Sequence, residues 1–430
     1  MGNEKKAWVI GVDMGYGHQR TAYPLKIFAS GGKVINANNY EGIPKKDRFV
    51  WALARSFYES LSNFKKVPFA GSTAFAFLER FQKILTFYPK RDLSKPDFSL
   101  WVIHSFIKRG WGKDLISELS KNPLPLVSTF FTPVFMAEYF NYPGEIYCII
   151  CDADIARTWA PINPAKSKIK YFVPNSWVLQ RLKFYGVKEE NIFFTGYPLP
   201  LENLGSENLE IAKSDLGYRL LNLDPKRIYR REYQPLIEKY AGILPNKSDH
   251  LPTIMFSIGG AGAQKEMAIK YVRSLAKKIK NEEIKIILVA GVRKKLYEYF
   301  LENIKKLGLE NNLNKTIEII FSETIEGYFK EFNQKLRKTD ILWTKPSELS
   351  FYTGLGMPLI LAPSIGSQED FNRKWLLRLG SAMDQDNPNY ADQWIFDYLE
   401  SGRFAEASME GFVEAEKLGT YNIQKIIFKK

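Results

Sequence analysis

Short apolar runs alternate with amphipathic stretches along the whole chain. In the first half the runs are "AWVIGV", "FSLWVIH", "PLVSTFF" and "IYCIICDA", with "YFVPN" and "IFFTG" as shorter ones. In the second half they are "TIMFSIGG", "IKIILVAG", "IEIIFS", "DILWTK" and "PLILAP". Apolar runs of about four to eight residues read as strands buried on both faces, and helical stretches between them read as the crossovers of parallel sheets. After "SIGGAGAQ", Ile269, Val272, Ala276 and Ile279 recur at the spacing of one helix stripe. The two strand series are divided by a polar stretch rich in charges and turn formers. The pattern therefore predicts two α/β domains, each a doubly wound, Rossmann-like sheet. The first covers 1–205 and carries an aromatic, basic helical insertion at about 40–95. A linker follows over 206–250, then the second domain over 251–395. A helical tail over 396–430 is expected to pack back on the first domain. Doubly wound sheets bind ligands outside the carboxyl ends of their strands, so the expected arrangement is two such domains facing a cleft.

A chain of 430 residues is too long for one ordinary core, which agrees with two domains. The formal net charge of +14 suggests an anionic partner: nucleic acid, a phosphorylated ligand or an anionic membrane surface. Solvated lysine-rich helix faces such as "VRSLAKKIKNEEIK" account for the same excess. Nothing resembles a recognition helix, a zinc site or a ribonucleoprotein motif, so no nucleic-acid partner is expected. The two cysteines, Cys148 and Cys151, lie in "EIYCIICDAD". Residues three apart on a strand point to opposite faces, and no second pair exists to complete a zinc site. Both are read as packing residues, reduced as in a cytosolic protein, and no metal is expected. The N-terminal stretch has no apolar leader segment, and no apolar run reaches the roughly 18 residues of a spanning helix. The expected location is cytoplasmic.

Two glycine turns and one polar loop carry candidate chemistry. "GVDMGYGHQRTAYPL" reads as a strand, a tight turn and a helix, and it holds His18, one of three histidines in the chain. "SIGGAGAQ" joins a strand to a helix. Its glycines would let the backbone approach a pyrophosphate, with the helix N-terminus beyond; a tight turn with no ligand is the alternative. In "DILWTKPSELSFYTGLGMPLILAPSIGSQEDFNRKWLLRLG", Thr344, Ser347, Glu348, Gln368, Glu369 and Asn372 place hydroxyl, carboxylate and amide groups at strand ends. Such paired donors and acceptors suit sugar and ribose hydroxyls, although Ser347 and Asp370 read equally as helix caps.

Together, "GYGHQRTA", "YFVPNSWVLQRLKFYGVKEENIFFTGYPL", "SIGGAG", "TKPSEL", "GMPLILAP" and "GSQEDFN" resemble glycosyltransferases of the GT-B fold. The group resembled contains monogalactosyldiacylglycerol synthases, processive diacylglycerol glucosyltransferases and the lipid-II-forming N-acetylglucosaminyltransferase. The matches run in order from residue 8 to about 380. The resemblance implies transfer of a sugar from a nucleotide-sugar, UDP-linked, to a hydroxyl on a lipid or lipid-linked glycan. The nucleotide-sugar would be a substrate and no cofactor is implied. Gly15, Gly17 and His18 map onto the acceptor loop, with His18 as the base that deprotonates the acceptor. A histidine bonded to backbone at a helix start remains the alternative. Asp13 and Asp152 are other bases or partners of His18. Asp152 and Arg157 lie in "CDADIARTW", which resembles a strand-end motif of the family. Gly259, Gly260 and Gly262 map to the diphosphate, Gly291, Arg293 and Ser322 to the nucleotide, and Gln368, Glu369 and Asn372 to the donor sugar.

The chain departs from the family at "TKPSELSFYTGLGMP", which is two residues short. Thr353 stands at the usual offset of a ribose-binding glutamate, and Glu348 lies five residues earlier as a substitute. Ala263 stands where relatives keep glycine. In the insertion, Val50, Leu53, Phe57 and Leu61, and then Phe77, Phe81 and Leu85, follow helical spacing. Lys45, Lys46, Arg48, Lys65, Lys66, Lys90 and Arg91 flank them. Amphipathic helices of this kind rest in a membrane interface, or simply form core helices with solvated lysines. With the resemblance, they point to a peripheral position on the inner face of an anionic membrane. Two other readings stay open: a nucleotide-sugar-binding protein that has lost transfer, favoured by the short loop, and a nucleotide-sugar epimerase of the same fold.

Overall fold

Two six-stranded sheets, every pair of neighbours parallel, organise the chain. They were read from a computed structural model, which describes residues 5–64, 84–257, 264–364 and 367–429. The first sheet comprises β1 (Trp8–Gly11), β2 (Ile35–Asn36), β3 (Leu126–Ser128), β4 (Ile146–Ile149), β5 (Lys170–Val173) and β6 (Ile192–Phe194). Its order is β2-β1-β3-β4-β5-β6. The second comprises β7 (Thr253–Ser257), β8 (Lys285–Gly291), β9 (Ile317–Phe321), β10 (Ile341–Thr344), β11 (Leu359–Leu361) and β12 (Ala382–Asp384). Its order is β12-β11-β10-β7-β8-β9. Both are doubly wound. The winding reverses between β1 and β3 in the first sheet and between β7 and β10 in the second. At such a reversal the connections leave toward opposite faces, and a crevice opens at the carboxyl ends.

The chain divides into two compact units. The first holds Met1–Pro198, Ile365–Asn372 and Leu418–Lys430; the second holds Leu199–Ser364 and Arg373–Lys417. These bounds differ from the ones expected. Residues 206–250 are not a linker. They form the helices Glu210–Leu223, Ile228–Glu232 and Gln234–Ala241 of the second unit. Leu216, Leu220 and Leu223 on the first of these are fully buried. Arg219, also buried, donates to the carbonyls of Thr339 and Leu355. Charged letters hid a helix whose apolar face is complete. The tail is shared: helix Arg403–Glu414 belongs to the second unit and helix Gly419–Ile427 to the first. Ile423 and Ile427 join the core beneath β1, with Val9, Leu25, Phe28, Val127 and Ile149.

"FSLWVIH", expected as a strand, is the start of helix Phe98–Lys108. The Asp97 carboxylate caps it by accepting from the Leu100 amide at 2.9 Å. Leu100 and Ile107, two turns apart, are buried, while Phe98 and Trp101 face outward. A mostly apolar stretch of seven residues is compatible with either period, and here the cap decides. Strands β2 and β12, at the edges, are two and three residues long and carry no apolar run.

Candidate functional site

The reversal point of the first sheet is occupied by His18. Strand β1 ends at Gly11, Gly15 takes a left-handed φ of 101°, and helix Tyr16–Ala22 begins. No side chain other than glycine adopts that φ without strain, and a Cβ at Gly15 would meet nothing within 4 Å. The turn is therefore open above the sheet, with Gly17 in the first helical turn beyond it. The His18 ring lies over the end of the neighbouring strand β3. Its Nδ1 is 2.8 Å from the Thr129 carbonyl oxygen, and the Thr129 hydroxyl donates back to the His18 carbonyl at 2.9 Å. Thr129 is fully buried and its amide donates to Ile10 of β1. This reciprocal pair locks the ring to the sheet. Phe130 meets it edge-on with centroids 4.7 Å apart, and Trp159 lies 6.2 Å away. A carbonyl oxygen only accepts, so Nδ1 carries the hydrogen and Nε2 of the neutral ring carries the lone pair.

The carboxylates expected beside His18 are engaged elsewhere. Asp13 makes a half-exposed ion pair with Arg55 at 3.2 Å, and its backbone is tied to Asn38. Asp152 accepts from the Asn372 amide group at 3.2 Å, and the Asn372 carbonyl oxygen takes the Ala153 N–H at 2.6 Å. Asn372 is 1% exposed, and the segment Ile365–Asn372, with Gln368 and Glu369, clusters with the first unit rather than with the expected donor domain. Arg157 is turned onto backbone carbonyls. Its guanidinium donates to the carbonyls of Ser94, Ala160 and Pro161, all within 3.0 Å. Three residues earlier, Asp154 and Arg181 form a bidentate pair at 2.8 and 2.7 Å, both fully buried. Burial holds the Asp154 carboxyl above the ordinary carboxylate range, against the pull of Arg181. Arg181 also donates to Leu85, so two buried arginines fasten the segment 85–94.

Two neighbours of the ring escaped the sequence reading. One is the Thr129 carbonyl: the sequence allowed a backbone bond to His18, but only the adjacency of β1 and β3 brings this group to it. The other is Cys151, read as packing, whose Sγ lies 3.3 Å from Nδ1. Strand β4 stops at Ile149, so Cys151 sits at the carboxyl edge and not in the sheet. The residue beside it, Asp152, was a candidate, and that adjacency was the available signal.

In the second unit Gly259, Gly260 and Gly262 lie outside the described residues. The strand end that feeds them, Ser257, accepts the Thr344 hydroxyl at 2.8 Å through its carbonyl. Thr344 thus joins β7 to β10 at the reversal point and is buried there. Ser347 and Glu348 follow, partly exposed, at the start of a tightly wound helix, Glu348–Leu355. The Ser347 side chain does not cap it. Gly291 ends β8 with φ 65°, and its carbonyl accepts the Ser322 amide at 3.0 Å. Arg293 opens helix Lys294–Lys306, and among the described residues its side chain has no hydrogen-bond or ionic partner. Ser257, Gly291, Arg293, Ser322, Thr344, Ser347 and Glu348 therefore share the carboxyl ends of β7–β10. Thr353 does not. It is fully buried against Gly411, and its Oγ1 has no hydrogen-bond partner among the described residues. Whatever a glutamate does at that offset in the resembled family, Thr353 has no surface to do it from.

In the insertion, Val50, Leu53, Phe57 and Leu61 fall in helix Lys45–Phe64, where Leu53 is exposed. Lys65, Lys66, Phe77 and Phe81 lie outside the described residues. Among the described residues no helix is long and apolar enough to cross a membrane.

Comparison with known proteins gives three findings. Residues 246–324, which span β7 to β9, match a family described as a domain of unknown function (DUF6938). The chain is 21% identical over 279 residues to the processive diacylglycerol beta-glucosyltransferase of Bacillus subtilis (strain 168), covering 63% of this chain. It spans about 60% of the length of that relative. Similar solved structures include MnaA of S. aureus with UDP (TM-score 0.46, 11% identity, 77% of this chain and 81% of that one). Another is MurG of Acinetobacter baumannii (TM-score 0.43, 12% identity, 75% and 78%). The curated relative belongs to the group that the sequence motifs resemble.

Proposed function

We propose that the chain transfers a sugar from a UDP-linked donor to a hydroxyl of a lipid or lipid-linked glycan, with His18 as the general base. The observation that carries this reading is the 2.8 Å contact between His18 Nδ1 and the Thr129 carbonyl, which can only accept. The Thr129 carbonyl holds the hydrogen on Nδ1, so the neutral ring offers a lone pair on Nε2 at the reversal point of a doubly wound sheet. An acceptor hydroxyl is a poor nucleophile until its proton is removed, and a positioned base contributes about 10²–10⁴-fold. The open turn at Gly15 leaves room for the acceptor. The donor belongs to the carboxyl ends of β7–β10, where Gly291, Arg293, Ser322, Ser347 and Glu348 gather; the glycine turn of "SIGGAG" is assigned to its diphosphate. The similarity to a diacylglycerol glucosyltransferase supports the lipid acceptor, and the basic, aromatic insertion supports an anionic membrane surface.

The test is His18→Ala. Turnover should fall at least about 10²-fold while donor affinity, measured by calorimetry with UDP, stays nearly unchanged. Near-normal turnover would make His18 structural. One observation favours a second reading, donor binding without transfer: the buried Thr353 leaves the ribose without its usual carboxylate unless Glu348 supplies it. That reading predicts UDP binding in wild type with no transfer to any lipid hydroxyl.

A further inference from the structure

We propose that Cys151 is a positioning residue for His18: its sulfur is the second acceptor on Nδ1 and sets the basicity of the ring. The link to catalysis rests on the reading of His18 as the base; the coupling itself does not.

The two cysteines are chemically different. Cys148 lies within β4, and burial pushes its thiol far up, so it is inert packing. Cys151 lies beyond the strand, with Sγ 3.3 Å from Nδ1 of His18. A thiol can give or take a hydrogen bond, and the second partner of the same nitrogen decides which. The Thr129 carbonyl, 2.8 Å from Nδ1, can only accept. A lone pair on Nδ1 would face the carbonyl oxygen directly, so the hydrogen is there, shared between oxygen and sulfur. To the neutral ring the sulfur is a weak acceptor. When Nε2 takes a proton, the Nδ1–H bond becomes charge-assisted, and such bonds are roughly twice as strong as neutral ones. Both acceptors then favour the charged ring. A carboxylate in the place of the sulfur would favour it much more, whereas a thiol does so weakly.

Several charged and titratable groups on the surrounding elements have partners of their own. Asp13 is paired with Arg55 and Asp152 is bonded to Asn372. Asp154 is paired with Arg181, and Arg157 is spent on carbonyls. Arg20 is buried on the helix of His18, and the Tyr197 hydroxyl meets Thr21. Cys151 reaches Nδ1 from beyond the end of β4.

The experiment is a pH titration of the full chain labelled with ¹⁵N-histidine. The chain has three histidines, so His18→Ala identifies the signal of His18. Wild type should show Nδ1 protonated and Nε2 of the unprotonated type above the midpoint. Relative to wild type, Cys151→Ser should hold the midpoint within about 0.2 unit, Cys151→Val should lower it by about 0.3 unit or more, and Cys151→Asp should raise it by about 1 unit or more. An Nε2–H tautomer in wild type overturns the proposal without any variant. So does a midpoint unmoved in Cys151→Val or in Cys151→Asp. The acid limb of kcat/KM should follow the same midpoints. If the midpoints move and the limb does not, Cys151 still positions His18, and it is the reading of His18 as base that falls.

Discussion

Arg181→Met isolates the cost of a buried, unpaired carboxylate in the first unit. Arg181 and Asp154 have no exposed surface. The substitution removes two hydrogen bonds to Asp154, at 2.8 and 2.7 Å, and one to the Leu85 carbonyl, at 2.7 Å. It also removes a cation 4.0 Å from the Phe87 ring. Methionine fills most of the volume, so the loss is electrostatic. Breaking a buried pair from one side costs about 3–5 kcal/mol, far more than the pair itself contributes. The Leu85 carbonyl adds the penalty of an unmet acceptor, about 1–3 kcal/mol if it stays dry. Together they place the loss at the upper end of the first range. The pH dependence separates this mechanism from simple mispacking. Burial already holds the folded-state value of Asp154 above its unfolded value of 3.8. Without Arg181 it rises further. A carboxyl raised on folding destabilises the fold fully above its folded-state value, and the penalty fades as pH falls through that value toward the unfolded one. The assay is urea unfolding followed by near-ultraviolet circular dichroism at pH 7.5 and pH 5. The deficit of the variant should be smaller at pH 5, and Asp154→Leu combined with Arg181→Met should recover most of it. A deficit below about 1 kcal/mol at pH 7.5, or one equal at both pH values, refutes the reasoning.

In the second unit, burial opposes charge on His250, but Asp340 and then Asp249 hold its imidazole above the ordinary value of 6.5. Its stabilisation should be complete below 6.5 and lost as pH rises through the folded-state value. His250→Gln should flatten thermal stability across that window, and an unchanged profile would remove His250 from the account. Gly411→Ala would place a methyl 2.7 Å from the Thr353 carbonyl and against its hydroxyl, which should cost about 1–3 kcal/mol in thermal denaturation; a neutral result would mean that the contact gives way freely. Phe98 and Trp101 are 65% and 50% exposed on one helix. The chain should pellet with anionic vesicles, less so as salt screens the lysines, and Phe98→Ser with Trp101→Ser should pellet less; equal pelleting would exclude this face.

The sheets were legible because fully buried parallel strands leave unbroken apolar runs, and ten of those runs fall where β1 and β3–β11 lie. "FSLWVIH" misled because five apolar residues in a stretch of seven fit either period, and the deciding group, the Asp97 carboxylate, stands outside the run. The helices of 206–250 misled for the opposite reason, since their exposed faces dominate the letters while Leu216, Leu220 and Leu223 complete the buried one. At the site, His18 was legible as a rare residue after a glycine turn. Its partners were not. A backbone carbonyl has no letter of its own, and Cys151 reaches the ring only because β4 stops two residues short of it. Arg157 shows what a motif leaves out: a match gives the residue, and only the structure shows the carbonyls of Ser94, Ala160 and Pro161 that it meets.

The helix Gly419–Ile427 completes the core under β1, a strand made more than four hundred residues earlier. A ribosome delivers β1 through β6 long before it delivers Ile423 and Ile427. Until then Ala7, Leu25 and Phe28 lack the apolar side chains that cover them in the finished fold. Domains commonly fold as they emerge, N-terminal first, but this one has to wait until Gly419–Ile427 has been made. A nascent chain arrested before Leu418 should expose that face to chaperones and proteases, and one arrested after Gly419–Ile427 has cleared the exit tunnel should not.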